Sequence, residues 1–296
     1  MSDKIYADLL NIPVVGPGSQ PRDESEEDFG ILASPGEMPT FTPPMLPEPE
    51  EVTGLETGMA VLADLLRGVT RYKAGAPALI YDIGHLDAEN LDLVNQVLNE
   101  GEVSVVCAGD GQVQIQESVL TGIWRVRTIT PDKGVVSDVI EVADIPSIVP
   151  QRVFAEATAL DTTLDDLPPG VRNAPSLIIE LAEKIEAWQP GRSPHVINLT
   201  LLPLSQEDLT FLGARLGVGP ITVLSRGYGN CRIGSTAKRN VWWVKYYNSE
   251  DVLILNTIEV VDVPEVAKAA AEDLADTVMR LREILQVYGL GSGHAQ

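Results

Sequence analysis

Two stretches decide how this chain folds: LDAENLDLVNQVLNEGEVSVV, residues 86–106, and LSQEDLTFLGARLGVGPITVL, residues 204–224. At an offset of 118, Leu91 falls on Leu209, Leu98 on Leu216, Gly101 on Gly219 and Val105 on Val223. The register continues without a gap. Gly109 and Gly111 fall on Gly227 and Gly229, Ile115 on Ile233, and Trp124 and Val126 on Trp242 and Val244. IEVADIP (Ile140–Pro146) then falls on IEVVDVP (Ile258–Pro264). Self-similarity at one period over about 60 residues is an internal duplication. Upstream it continues with one residue of slippage, which sets Pro77 opposite Pro194.

Each copy reads as one α/β unit. A first helix is predicted in LETGMAVLADLLRGVTRY and in NAPSLIIELAEKIEAW, where apolar residues recur at helical spacing. A short strand follows (PALIYDI; HVINLTLL), then a second amphipathic helix opened by Asp87 in one copy and Ser205 in the other. Four strand-like runs come next, the last three spaced as an antiparallel meander. The expected class is α+β: two similar lobes, each helix–strand–helix plus a mostly antiparallel sheet. The boundaries read as 54–160 for the first repeat, 161–171 for a linker and 172–290 for the second, which ends in a long Ala-rich helix begun at Pro264. Asp144 and Asp262 are expected to cap the helix that follows each.

Residues 1–53 differ from the rest. They hold 9 of the 21 prolines and eleven acids against Lys4 and Arg22, so this acidic, Pro-rich segment is expected to be disordered or extended. Its apolar piece IYADLLNIPVV is either a frayed tail or a partner-docking element. The chain carries a formal net charge of −22, which argues against nucleic-acid binding because phosphate contacts need Lys and Arg. No apolar run approaches the roughly 20 residues that span a bilayer, and MSDKIYADLLNIPVV lacks the regions of a signal peptide. A soluble, cytoplasmic protein without stable membrane insertion is expected. Cys107 and Cys231 alone complete neither a disulfide framework nor a four-thiolate metal site.

Against that acidity, SRGYGNCRIGSTAKRNVWW (residues 225–243) holds four basic residues and no acid. Gly227-Tyr228-Gly229 is a weak phosphate-loop signal. It lacks the Gly-Lys-Ser/Thr of a P-loop, and a strand follows where a helix N-terminus would be needed, so a turn requiring positive φ is the reading. Cys231 beside Arg226 and Arg232 has no evident His base; a small half-buried strand residue and a functional thiol both stay open. No carboxylate constellation emerges, so no catalytic residue and no cofactor is expected. The copies differ in charge: residues 107–127 are balanced, whereas Arg226, Arg232, Lys238, Arg239 and Lys245 leave a surplus of five in residues 225–245. Trp242 aligns with Trp124 and is expected in the core. Trp243 aligns with Arg125 and is expected at the surface, where a Trp beside arginines makes an interface anchor. The candidate partner-binding set is Arg226, Tyr228, Cys231, Arg232, Lys238, Arg239 and Trp243.

SRGYGNCRIGSTAKRNVWWVKYYNSEDVLILNTIEVVDVPEVA and the helix after it, roughly residues 222–288, resemble the C-terminal region of the HupH/HyaF hydrogenase expression and formation family. The resemblance implies a non-enzymatic accessory role in maturing membrane-bound nickel–iron uptake hydrogenases. Its implied partners are the immature iron–sulfur small subunit, before twin-arginine export, and other maturation factors. The alternative reading is a redox, iron–sulfur or metal-cluster carrier using Cys231. A homodimer of pseudo-symmetric lobes stays open.

Overall fold

The computed structural model describes residues 46–109, 112–130, 132–226 and 230–289. The Pro-rich segment, apart from its last eight residues, and Tyr228 with its two flanking glycines lie outside the described residues. In chain order the elements are α1 (Glu56–Arg71), β1 (Leu79–Asp82), α2 (Ala88–Leu98), β2 (Val103–Cys107), β3 (Gln112–Glu117), β4 (Ile123–Thr130), β5 (Gly134–Val142) and the short α3 (Ile148–Arg152). The second copy gives α4 (Ala174–Ala187), β6 (His195–Asn198), a 3₁₀ turn (Leu199–Leu201), α5 (Gln206–Leu216), β7 (Ile221–Ser225), β8 (Asn230–Ser235), β9 (Val241–Tyr247) and β10 (Leu253–Val260). A second 3₁₀ turn (Glu265–Ala267) and α6 (Ala271–Val287) complete the chain.

Packing divides the chain into two compact units whose limits do not follow the two sequence copies. The first unit comprises Pro44–Val153, Pro220–Arg232 and Val263–Gln296; the second takes Phe154–Gly219 and Ile233–Asp262, with Met1–Pro43 outside the described residues. In the first unit the strands run β1-β5-β4-β3-β2-β7, each neighbour antiparallel. Helices α1, α2 and α6 bury Leu62, Leu65, Leu93, Val97, Leu281 and Leu285 against Ile123, Ile140 and Val142 of the sheet. The buried core of this unit is aliphatic. In the second unit β6, β10 and β9 are antiparallel neighbours, and α4 and α5 cover them through Ile178, Leu181, Leu212 and Leu216.

Equivalent residues make equivalent bonds. Gly101 N–H donates to Glu117 O (2.7 Å) and Gly219 N–H to Ser235 O (2.8 Å), positions 118 apart at both ends. Both glycines are there for close approach, because a Cβ at either would collide with the backbone of the β3 or β8 end. Ser118 and Thr236 repeat the same hydroxyl turn, accepting from the N–H of Leu120 and Lys238. The helix ends match too: Asn99 and Gly217 both adopt positive φ, 42° and 67°. Most telling is the β2–β7 pair, where Val105 lies opposite Val223. These residues differ by the repeat offset itself, so the two copies of one strand pair about a local pseudo-dyad between them.

Two sequence expectations change here. The C-terminal helix does not begin at Pro264: a single 3₁₀ turn follows it, Lys268 is extended, and α6 starts at Ala271. The tie responsible is Ala269 N–H donating to Asp144 O at 2.8 Å, which draws the chain out of helical geometry. Nor does Asp144 cap α3. Its carboxylate accepts from Tyr72 Oη (2.6 Å) and Gly75 N–H (3.2 Å). Glu141, three residues earlier, takes Ser147 N–H (2.7 Å) and Oγ (2.9 Å) instead. Burial and that Asp144 bond push the Tyr72 hydroxyl up to about 12. Asp262 stands nine residues before the start of α6, and its carbonyl accepts from Trp242 Nε1 (3.0 Å).

Candidate functional site

The basic stretch begins at the end of β7. In the first unit, Arg226 is exposed and its backbone N–H is fixed to Glu102 O at 3.0 Å. Arg232, on β8, is also exposed, whereas Cys231 beside it is buried. Alternation along a strand explains both: Cys231 and Ile233 face inward and Arg232 outward. Gly109, the counterpart of Gly227, has φ 145°.

The remaining candidates belong to the second unit. Lys238 is buried rather than displayed: its Nζ donates to Thr158 Oγ1 (2.8 Å) and Ala159 O (3.1 Å), just before the linker. Desolvation lowers its pKa, with Asp161 opposing. Lys238 occupies the place of Leu120, so the second copy has exchanged a core leucine for a latch on the last residues of the first repeat. Replacing Lys238 with Leu should cost about 1 kcal/mol or less globally. The same change should speed thermolysin cleavage near Leu160 several-fold, and unchanged cleavage would remove the latch. Arg239, next along, is exposed.

Trp243 is not at the surface. It is 6% exposed, packs with the core under α4 and α5, and donates from Nε1 to Asn256 Oδ1 at 2.6 Å. Its register partner Ile258 lies in the same core. Its alignment with a polar residue misled, because β9 is covered on both faces. Trp242 is fully buried, edge-on to Phe154 with ring centroids 5.8 Å apart. The run VWWV, apolar without alternation, was the available signal for a strand buried on both sides. Lys245 is likewise buried, with Nζ 5.6 Å from the Trp243 ring centre. Of the seven candidates, Arg226, Arg232 and Arg239 stand exposed, Cys231, Lys238 and Trp243 are interior, and Tyr228 falls outside the described residues.

Burial also raises the pKa of Cys107, against an opposing Arg152. Among the described residues, no three His, Cys, Asp or Glu side chains gather to hold a metal ion. No helix among them is long and apolar enough to cross a membrane.

A duplicated α+β protein with closely matched copies, buried cysteines and outward-facing arginines is the class these features define. The chain belongs to the HupH hydrogenase expression protein family: the model of that family's C-terminal conserved region matches it twice, at residues 55–160 and 171–288. The two matches coincide with the two copies. The chain is 45% identical over 280 residues to the hydrogenase expression/formation protein HoxQ of Cupriavidus necator, covering 94% of this chain and 98% of that one. It is 43% identical to the hydrogenase expression/formation protein HupH of Rhodobacter capsulatus (94% and 98% covered). It is 32% identical to the hydrogenase-1 operon protein HyaF of Escherichia coli (92% and 95% covered). A solved structure, the hydrogenase expression protein HupH from Thiobacillus denitrificans, is 32% identical. It covers 40% of this chain and 97% of its own, with a TM-score of 0.36.

Proposed function

We propose that this protein is a cytoplasmic accessory factor, of chaperone type, in the maturation of a membrane-bound nickel–iron uptake hydrogenase. Its client would be the immature iron–sulfur small subunit before twin-arginine export. Family membership over both copies carries the maturation role, since the relatives are named as hydrogenase expression/formation proteins. The client assignment is what the family resemblance implies, and the charge pattern supports it. A chain of net charge −22 attracts a basic export signal, while outward-facing Arg226, Arg232 and Arg239 offer local contacts to acidic or carbonyl-rich surface. Trp243 and Lys238, being interior, drop out of the contact set.

The test is co-expression with the small subunit under anaerobic conditions, followed by affinity capture. Arg226→Glu with Arg239→Glu should reduce captured subunit at least tenfold with thermal stability unchanged. Cys231→Ser should leave capture intact, because a buried thiol in a strand does not present itself to a client. Undiminished capture by the double variant would overturn the arginine contacts. Loss of capture by the serine variant, with the fold intact, would return the thiol to the centre of the mechanism.

A further inference from the structure

The two copies leave their first strand differently. Between the end of β1 at Asp82 and the cap of α2 at Asp87 lie four residues, 83–86; between the end of β6 at Asn198 and the cap of α5 at Ser205 lie six, 199–204. The two extra residues make room for the three-residue 3₁₀ turn Leu199–Leu201, which lies beside β10. Asn256 N–H donates to Thr200 Oγ1 there at 2.8 Å, and Leu253 and Leu255 beyond it are half-buried.

Copy one has no such turn. β5 pairs with β1 only over Val139–Val142, and Ile83 N–H reaches Asp138 O at 3.3 Å. From Gly134 to Ser137 the strand has β4 on one side, and among the described strands none on the other. Val135 and Val136 are 53% and 47% exposed, and Ser137 is exposed as well. They occupy the places of Leu253, Ile254 and Leu255, of which Ile254 is exposed (55%) and the other two are half-buried, so the copies differ at Val135 and Ser137. The β4 register skips Val136, so the edge also carries a bulge. Sheet edges are ordinarily blunted by lysine, proline, a bulge or a covering element, and of these β5 has the single bulge at Val136. Here the charges, Asp132 and Lys133, stop at the hairpin tip and two valines hold the edge itself.

We propose that the outer edge of β5, Gly134–Ser137, receives an added strand from a partner protein: a short, extended, apolar segment flanked by basic residues. The second copy displays the chemistry of such a cover within the same chain, a Leu-Thr-Leu piece with a hydroxyl meeting a backbone N–H. A second copy of this chain is the poorer occupant, because two bodies of charge −22 repel. The same charge favours lysine or arginine beside the docking strand. Strand addition supplies main-chain hydrogen bonds for affinity and alternate side-chain contacts for selectivity.

The inference rests on the maturation reading only for which protein brings the strand. It is tested on the full chain with the co-expressed immature small subunit as probe. Hydrogen exchange at Gly134–Ser137 should slow at least tenfold on capture. Val135→Lys with Val136→Lys, both solvent-facing, should weaken capture at least tenfold at unchanged thermal stability. Capture without protection of this edge, or equal capture by the lysine variant, overturns the inference and leaves the maturation reading standing. No capture by the unmodified chain overturns both.

Discussion

Asp208→Ala will destabilise the chain by about 3–5 kcal/mol in denaturant titration, the cost of leaving several buried donors without an acceptor. Asp208 is fully buried. Its Oδ1 accepts from the backbone N–H groups of Arg172 (2.8 Å), Asn173 (2.9 Å) and Ala174 (2.9 Å), the start of α4. Its Oδ2 accepts from Ser205 N–H (3.1 Å), closing the capping box of α5. One carboxylate therefore holds two helix N-termini, where orphan donors and the helix dipole both favour negative charge. Burial opposes its ionisation, but the four N–H groups win and hold its pKa below the ordinary carboxylate value. This contribution is present above the unfolded carboxylate pKa and is lost as pH falls through the lower folded one.

The first copy supplies the control. There Asn90 stands at the equivalent place, its Oδ1 accepting from Gly58 N–H at 2.7 Å and its Nδ2 donating to both oxygens of Asp87 at 2.8 and 2.9 Å. The charge has moved from the third helical residue to the cap. Asp208→Asn alone would turn an amide against Ser205 N–H, donor against donor. Combined with Ser205→Asp it recreates the arrangement of the first copy. The double variant should recover most of the stability lost by the single one. Additive losses would show that the two sites are not coupled in this way.

This exchange also shows what the sequence could and could not reveal. The offset of 118 identified the copies, both caps, and the paired glycines Gly101 and Gly219, because those features are local and their residue types are specific. Alignment between copies failed where the copies were put to different use. Trp243 inherited the polarity of Arg125 by analogy, yet it lies in a core of its own, whereas Arg125 is bound to Asp138 and Asn95. Lys238 looked like surface charge, although its counterpart Leu120 marks an inward position. Units that trade β7 and α6 across the repeat boundary arise from pairing between distant segments, and no periodicity reports that. The uncovered edge of β5 left only a slippage in the upstream register, read there as one residue where the structure has two, and its meaning requires knowing what lies beside the loop.

Glu117→Gln should stabilise the protein at pH 8 by up to about 3 kcal/mol and leave it unchanged near pH 4. Glu117 is 5% exposed at the end of β3, and its Oε1 accepts from Gly122 N–H at 3.0 Å. Burial raises its pKa from 4.5 to about 7; the Gly122 bond opposes this, and the carboxylates of Asp273 and Glu102 add to the rise. A carboxyl that holds its proton more tightly when folded contributes fully below the unfolded pKa of 4.5, and that contribution is lost as pH rises through about 7. Glutamine keeps an acceptor for Gly122 N–H and has no charge to bury. The difference between variant and parent should therefore open between those two values and then stay constant. The second copy places Ser235 here, so the turn itself does not require a carboxylate. The α6 helix packs over the same place, Leu274 against Gly122 and Thr277 Oγ1 donating to Thr121 O at 2.9 Å. Hydrogen exchange in the first turns of α6 should accordingly quicken in the parent above neutrality and not in the variant. A pH-independent difference between the two proteins would mean that Glu117 remains charged in the folded state throughout, and that the acidic cluster beneath α6 is hydrated.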